Sequence, residues 1–386
     1  MNPETIVNTV KSESSVDVGD VIEGITRWVE VESPTSDTAA VNRMVDLVRS
    51  GLDGLPIRIE RIPGRDGFAD TLATRLPGAG EGPGILVLSH VDTVHPLGTL
   101  GGELPLRRDG DKLYGPGIYD MKGGAYLAMD AFRRVARAGT NRLPVTFLFT
   151  PDEEFGSITS RALIEREARD ARYVLVTEPA RDGGRIVTAR KGVGRFIVKT
   201  VGVPAHSGGA HEKGRSAIRE MARQVLAIEA MTDYARGITT TVGKISGGTA
   251  PNVVPEHCSI TADLRVRDAE AGREMAAKIL GLRPVDPDVE ITVTGGMNRP
   301  PFEKSPAIAA LLGHAQGVAR EIGFDLADTA MTGGGSDGNF TAALGVPTLD
   351  GLGIDGDGAH THWEHALISS VEPRLRLMQR LMETLE

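Results

Sequence analysis

GILVLSH, residues 84–90, is an apolar run of strand length that ends at a histidine. Two further runs, PVTFLFT at 144–150 and YVLVTEP at 173–179, have the same character. None of them alternates polar with apolar residues, which is typical of strands covered on both faces. Between them lie KGGAYLAMDAFRRVARAG and SRALIEREAR, whose apolar residues recur at helical spacing. This order predicts an α/β domain with a mainly parallel central sheet flanked by helices.

The pattern changes from about residue 192 to residue 299. GVGRFIVKTVG and CSITADLRVRD alternate apolar with polar residues, as strands do when one face meets water. After this region, the helical AIAALLGHAQGVAREIG and the glycine-rich MTGGGSDGNF return to the first pattern. We therefore expect a discontinuous catalytic domain, residues 1–191 and 300–386, with residues 192–299 inserted as an α+β domain.

Length and composition restrict the possible functions. A chain of 386 residues with 40% hydrophobic and 25% charged residues favours two globular domains. No apolar run reaches the roughly 20 residues that span a bilayer, and MNPETIVNTVKSESS lacks a secretory pattern. The net charge of -9, without a basic block, argues against nucleic acid as a partner. A single cysteine, Cys258, fits a reducing compartment, so we expect a cytoplasmic protein.

Acidic residues and histidines follow the predicted strands. They are His90 and Asp92, Glu153 and Glu154, and Glu178, joined by Asp120 and His360 from other segments. Because the carboxyl ends of the strands share one edge of the sheet, these side chains can converge there. So many acids in one cleft would raise one another's pKa unless a cation lay among them. Imidazole with carboxylate suits zinc, and a carboxylate can bridge two ions, so the sequence predicts a divalent metal site.

Each of these residues also has a purely structural interpretation. A histidine such as His90 is often only hydrogen bonded, and Glu153 and Glu154 could be the first turn of a helix. Asp120 could cap the following helix, and Glu178 could be a polar turn residue before a proline. The metal hypothesis is favoured because these positions all fall at the same predicted edge.

The motifs as a set resemble those of the M20 family of zinc-dependent peptidases and amidohydrolases. In chain order they are SHVDTV, GPGIYDMKGG, PDEEFGS, TEP, PAHSG, NVVP and GAHTHWE. TGGGSDG and NRPPF make the chain most similar to the glutamate carboxypeptidase (carboxypeptidase G2) branch. The resemblance extends from about Val21 to the C-terminus. It implies a homodimer in which residues 192–299 form a lid and dimerisation domain, and two Zn²⁺ per subunit, with Co²⁺ or Mn²⁺ as possible substitutes.

The resemblance also implies a ligand set. Asp120 would bridge the two ions, with His90 and Glu178 on one zinc and Glu154 and His360 on the other. The C-terminal motif contains a second candidate, His362. Alignment on Glu364, the acid downstream of both histidines, favours His360 over His362.

Three further residues have implied roles in the reaction. Asp92 would orient the imidazole of His90. Glu153 would not bind metal; it would take a proton from the attacking water and deliver it to the leaving amine. His206, from the inserted domain of the partner subunit, would donate a hydrogen bond to the oxyanion, assisted by Asn252.

Substrate recognition is expected at basic residues and a glycine-rich loop. Arg299 could bind a substrate carboxylate through two parallel hydrogen bonds, and Lys191 and Arg265 are candidates for the same anionic pocket. The loop TGGGSDG, with Gly334 and Gly335, is expected to line the specificity pocket.

The leading hypothesis is therefore a dizinc hydrolase that releases a C-terminal amino acid from a short peptide or an N-acyl amino acid. Glu178, where an aspartate is the alternative, resembles the carboxypeptidase and deacylase members. A catalytically silent metal-binding or regulatory protein on the same scaffold is an alternative that the presence of Glu153 disfavours. A nucleotide-binding protein using TGGGSDG is a third, but the loop lacks the Lys-Ser/Thr ending of a P-loop.

Overall fold

The computed structural model describes residues 16–80 and 82–386, so MNPETIVNTVKSESS lies outside the described residues. The strands there are β1 Arg58–Ile62, β2 Thr71–Leu76, β3 Gly84–His90, β4 Arg107–Asp109, β5 Lys112–Tyr114, β6 Val145–Thr150, β7 Ala171–Val176, β8 Gly192–Val201, β9 Ala205–His206, β10 Thr239–Gly247, β11 Val253–Val254, β12 His257–Val266, β13 Glu290–Arg299, β14 Thr348–Leu349, β15 Gly356–Asp357 and β16 His365–Leu367. The helices are α1 Val18–Val29, α2 Thr38–Ser50, α3 Gly123–Ala138, α4 Arg161–Arg169, α5 Ala217–Glu229, α6 Ala269–Leu280, α7 Pro306–Ile322, α8 Gly338–Ala343 and α9 Val371–Thr384. Within the described ranges, no helix combines the length and apolar character needed to cross a membrane.

The central sheet has six strands in the order β1-β2-β6-β3-β7-β14. β3 runs parallel to β6 and β7, and β14 runs parallel to β7, while β1 and β2 join antiparallel at one edge. Ile85 and Val87 pack into one hydrophobic cluster, and the alternate residues Leu86 and Leu88 pack into another. Because successive side chains point to opposite faces, a strand between two clusters needs an unbroken apolar run. The predicted α/β fold with a mainly parallel sheet is confirmed.

A second, antiparallel sheet has the order β10-β12-β8-β13. Buried and exposed residues alternate along most of β8, and α5 and α6 supply buried residues to two clusters against this sheet. All of its strands lie between residues 192 and 299, and the chain afterwards contributes β14 to the central sheet. This order of pairing supports the proposal that residues 192–299 are an inserted domain.

Candidate metal site and active site

The ends of three neighbouring strands bring the predicted acids and histidine together. His90 is the last residue of β3 and pairs in register with Thr150, the last residue of β6. Glu153 and Glu154 follow β6 within one short helical turn, Glu153–Phe155. Glu178 follows β7, which pairs with the other side of β3. The three strands therefore end at one edge, as the sequence predicts.

Asp120 and His360 complete the cluster from two loops. Asp120 has an extended backbone, with φ -115° and ψ 94°, and α3 begins only at Gly123, so the capping interpretation of Asp120 is wrong. His360 adopts a left-handed backbone with φ 64°. Its Nε2 lies 3.4 Å from Oδ2 of Asp120 and 3.2 Å from Oε2 of Glu154. On the other side of the cluster, Nε2 of His90 lies 3.3 Å from Oδ1 of Asp120.

His362 occupies a different environment. Its Nε2 lies 3.0 Å from Oε2 of Glu103, and both side chains are exposed. Of the two histidines that the sequence offers, the structure places His360 among the clustered acids.

Asp92 contacts three other parts of the site. Its carbonyl lies 2.9 Å from Nδ1 of His90, and one carboxylate oxygen lies 3.5 Å from the same nitrogen. The carboxylate also accepts the backbone N–H groups of Glu153 and Glu154, at 3.3 and 3.2 Å, and the hydroxyl of Thr35. In the neutral imidazole of His90, Nδ1 can donate to Asp92 and leave Nε2 unprotonated, so that Nε2 can bind a cation.

The donor atoms of this cluster fit a divalent cation. Two sets of ligand atoms lie within 4.8 Å of one another, His90 with Asp120 and Glu154, and His90 with Glu153 and Glu178. Nε2 of His90 and Oε1 of Glu154 are buried and have no hydrogen-bond partner among the described residues. Buried polar atoms usually have a partner, and imidazole nitrogen and carboxylate oxygen are both zinc ligands. The second set also places Glu153 within reach of a cation, although the sequence analysis gives it no ligand role.

The pKa shifts within the cluster also favour a bound divalent cation. Burial raises the pKa of Glu153 well above its usual range. Burial, followed by the charge of Asp120, raises the pKa of Glu178 to about 8. Hydrogen bonds to Asp120 and Glu154 raise the pKa of His360 to about 11. A bound cation would stabilise the ionised carboxylates and displace protons from the site.

Arg299 lies beside Glu153. Its guanidinium donates to Oε1 of Glu153 at 2.7 Å and to Oδ1 of Asp337 at 3.0 Å. The residue is only 4% exposed. These contacts give Arg299 partners other than the substrate carboxylate that the sequence analysis expects.

Glu364 is a site residue that the sequence analysis uses only as an alignment anchor. Its buried carboxylate accepts the N–H groups of Gly117, Tyr119 and Asp120 at 3.1, 2.8 and 3.0 Å, and lies 2.6 Å from Nε2 of His95. It therefore fixes the loop that carries Asp120. The acid between two histidines in HTHWEH is the only sequence signal that could have indicated it.

His206 and Asn252 are adjacent in the inserted region. β9 pairs with β11, His206 lies opposite Val253, and the N–H of Ser207 donates to the carbonyl of Asn252 at 3.0 Å. Nδ1 of His206 accepts the N–H groups of Gly208 and Gly209, both at 3.1 Å. Since Nδ1 is an acceptor, Nε2 carries the proton and can donate a hydrogen bond from this exposed side chain.

The remaining candidates surround the glycine-rich loop. The N–H of Lys191 donates to the carbonyl of Thr332 at 2.9 Å, and Arg265 donates to the carbonyl of Gly333 at 3.2 Å while pairing with Asp263. The carbonyl of Gly334 accepts from buried Arg190 at 3.2 Å. A Cβ on Gly335 would lie 2.6 Å from Cδ of Arg299, so only glycine fits here without a shift. The structure thus places Lys191 and Arg265 beside the glycine-rich loop that contains Gly334 and Gly335.

The chain is similar to known proteins in both sequence and fold. Residues 86–384 match the family described as peptidase family M20/M25/M40. Carboxypeptidase G2 from Pseudomonas sp. (strain RS-16) is 30% identical over 370 residues, covering 94% of this chain and 88% of the relative. Succinyl-diaminopimelate desuccinylase from Ralstonia nicotianae is 29% identical over 301 residues, covering 73% and 76%. The structure of a dinuclear metal-binding M20 peptidase from Bacillus subtilis superposes with a TM-score of 0.67 at 14% identity, covering 95% of this chain and 98% of the other.

Proposed function

The chain belongs to peptidase family M20/M25/M40, and from that premise we propose that it is a dizinc hydrolase that cleaves an amide bond to release a C-terminal amino acid. The observation that carries the proposal is the convergence of His90, Asp120, Glu154 and His360 around buried acceptor atoms that have no hydrogen-bond partner within residues 16–80 and 82–386. Glu178 joins them through His90, whose Nε2 lies 3.7 Å from its Oε1. Histidine and carboxylate ligands favour zinc, with Co²⁺ or Mn²⁺ as substitutes.

Zinc, when bound, would make water a stronger nucleophile at neutral pH and polarise the scissile carbonyl. Glu153 accepts the proton of the attacking water and later delivers it to the nitrogen of the leaving amine as the C–N bond breaks. Its second oxygen, Oε2, is available for this transfer because Arg299 binds Oε1. Asp92 holds His90 in the tautomer that leaves Nε2 free to bind metal.

We propose that His206 completes the site of a partner subunit. Its protonated Nε2 is suited to donate to the oxyanion that develops on the scissile carbonyl, with Asn252 next to it. Exposed Leu226 on α5 and Ile245 on edge strand β10 support the use of the inserted domain as a dimer interface. A homodimer is therefore part of the proposal.

The substrate is proposed as a small molecule with a free carboxylate. The curated relatives include one named as a carboxypeptidase and one named as a desuccinylase, so peptides and N-acyl amino acids are both candidates. Lys191 and Arg265, beside the glycine-rich loop, are the proposed cationic groups for the carboxylate. We keep the cytoplasm as the proposed compartment, since the single cysteine is unpaired and buried.

The direct test is hydrolysis of a panel of N-acyl amino acids, N-carbamoyl amino acids and dipeptides, with metal analysis of the same preparation. We expect release of a free amino acid, its loss on chelation, and its recovery on adding Zn²⁺. Full activity in chelated, metal-free protein would contradict the proposal.

A further inference from the structure

We propose that Arg299 and Asp337 are positioning residues that hold the carboxylate of Glu153 in the orientation needed for proton transfer. The inference rests on the function proposed above, in which Glu153 is the proton shuttle. It assigns Arg299 to the catalytic machinery through Glu153, and not through direct contact with substrate.

A single nitrogen of Arg299 binds Glu153 at two places. Nη2 donates to the backbone carbonyl of Glu153 at 3.1 Å and to its Oε1 at 2.7 Å. A donor that is hydrogen bonded to both the backbone carbonyl and the carboxylate of one residue restricts the side-chain torsions of that residue. The neighbouring Glu154 has no such contact with Arg299 and lies with its Oε2 against His360. Arg299 therefore helps to separate the directions of two adjacent glutamates.

The guanidinium is itself held in place. Nη1 donates to Oδ1 of Asp337 at 3.0 Å, Nη2 also donates to Oγ of Ser157 at 3.1 Å, and the guanidinium carbon lies 4.8 Å from the centre of the Phe340 ring. Arg299 is the last residue of β13, so this cation reaches the active site from the end of the inserted region. A planar fork can hold carboxylates on separate nitrogens at the same time, which an ammonium group cannot reproduce.

Both carboxylate oxygens of Asp337 take part in the hydrogen-bond network around Arg299. It precedes α8, yet its side chain makes no capping bond to that helix. Instead, its Oδ1 accepts the hydroxyl of Ser157, and its Oδ2 accepts the hydroxyl of Thr150 at 3.2 Å. Thr150 ends β6, the strand that leads into the turn of Glu153. The network thus connects the glycine-rich loop to the proton shuttle through Arg299.

Burial argues against a direct role of Arg299 in substrate binding. The side chains of Arg299, Glu153 and Asp337 are 5%, 11% and 4% exposed. A substrate carboxylate would have to replace one of two buried carboxylates that already neutralise the guanidinium. Arg265, whose side chain is 31% exposed, is more accessible to a substrate anion.

The test separates the turnover effect from the binding effect of Arg299→Lys. We would measure kcat and KM on the best substrate of the panel, and the equilibrium Kd of that substrate in Glu153→Gln and in Glu153→Gln/Arg299→Lys protein. We expect kcat to fall about 10- to 100-fold, since small displacements of a catalytic group have effects of this size. KM and the Kd in the Glu153→Gln background should change less than about threefold, because a positioning residue adds no ground-state binding. Arg236→Lys, in an exposed pair with Glu274, is the matched control and should match wild type.

Asp337→Asn provides a second variant that leaves the Arg299–Glu153 contact in place. It should lower kcat by a smaller factor, with metal content unchanged. A tenfold or larger increase in the substrate Kd on Arg299→Lys would assign Arg299 to substrate binding and overturn the proposal. Unchanged kcat in both variants would also overturn it. A wild-type protein that hydrolyses nothing, or a fully active Glu153→Gln variant, would instead reject the proposed function itself.

Discussion

Glu364→Gln should destabilise both the fold and the metal site, although Glu364 is not among the proposed ligands. Oε1 accepts the N–H groups of Tyr119 and Asp120, and Oε2 accepts that of Gly117 and faces Nε2 of His95. Glutamine can replace Oε1, but its amide nitrogen cannot accept at the second position. The N–H of Gly117 then loses its acceptor, and the other bonds lose their charge.

The magnitude follows from these bonds. A hydrogen bond to a charged group contributes about 1.5–3 kcal/mol, and His95 can recover one bond by accepting from the amide, so the free energy of unfolding should fall by about 2–3 kcal/mol. Displacement of the Asp120 loop should weaken metal binding about 10- to 100-fold, as loss of a group that supports a ligand typically does.

Urea unfolding of chelated protein, followed through buried Trp28, measures the first effect, and a competition titration with a zinc-binding dye measures the second. Glu103→Gln, at an exposed contact with His362, is the matched control and should change stability by less than about 0.5 kcal/mol. If Glu364→Gln unfolded at the same urea concentration as Glu103→Gln and bound zinc equally well, the proposed support of Asp120 would be refuted.

Other substitutions test separate parts of the site. His90→Ala and Asp120→Ala should each lower metal content together with turnover, whereas His362→Ala should retain both; full metal occupancy with normal turnover in either of the first two would reject the dizinc site. Gly335→Ala should lower kcat with metal retained, because its Cβ would press on Cδ of Arg299, while Gly313→Ala, where a Cβ meets open space, should be neutral; equal kinetics of the two would argue against this. His206→Ala should lower kcat about 10²- to 10³-fold with metal retained. Mixing His206→Ala subunits with Glu153→Gln subunits should restore activity if His206 acts across the dimer. If the subunits demonstrably exchange and activity does not recover, action of His206 across the dimer is excluded.

The sequence was most informative where burial on both sides of a strand fixes its composition. The apolar run at residues 84–90 matches the observed bounds of β3, because residues 85–88 pack alternately into two clusters. β10 and β13 were not predicted. They are the edge strands of the second sheet. Much of β10 is exposed and its apolar residues do not alternate regularly, whereas residues 290–294 of β13 alternate polar with apolar and could have indicated that strand.

Contacts between distant residues limited the prediction of the site. The extended backbone of Asp120 depends on Glu364, which is 244 residues away in the chain. Arg299 and Glu153 are 146 residues apart, and residue types alone do not show which carboxylate a buried arginine will select among several. The convergence of strand ends was predictable because it follows from parallel pairing, whereas the pairing of individual charges required the coordinates.

Metal content and kcat of Glu153→Gln, measured on one preparation beside wild type, test the central claim most directly. The substitution removes the proton shuttle and leaves the proposed ligands His90, Asp120, Glu154, Glu178 and His360 unchanged. We predict two metal ions per chain in both proteins and a kcat at least about 100-fold lower in the variant, since a general acid–base group typically contributes about 10²–10⁴-fold. Loss of metal from Glu153→Gln, or turnover equal to wild type with both ions bound, would contradict the account.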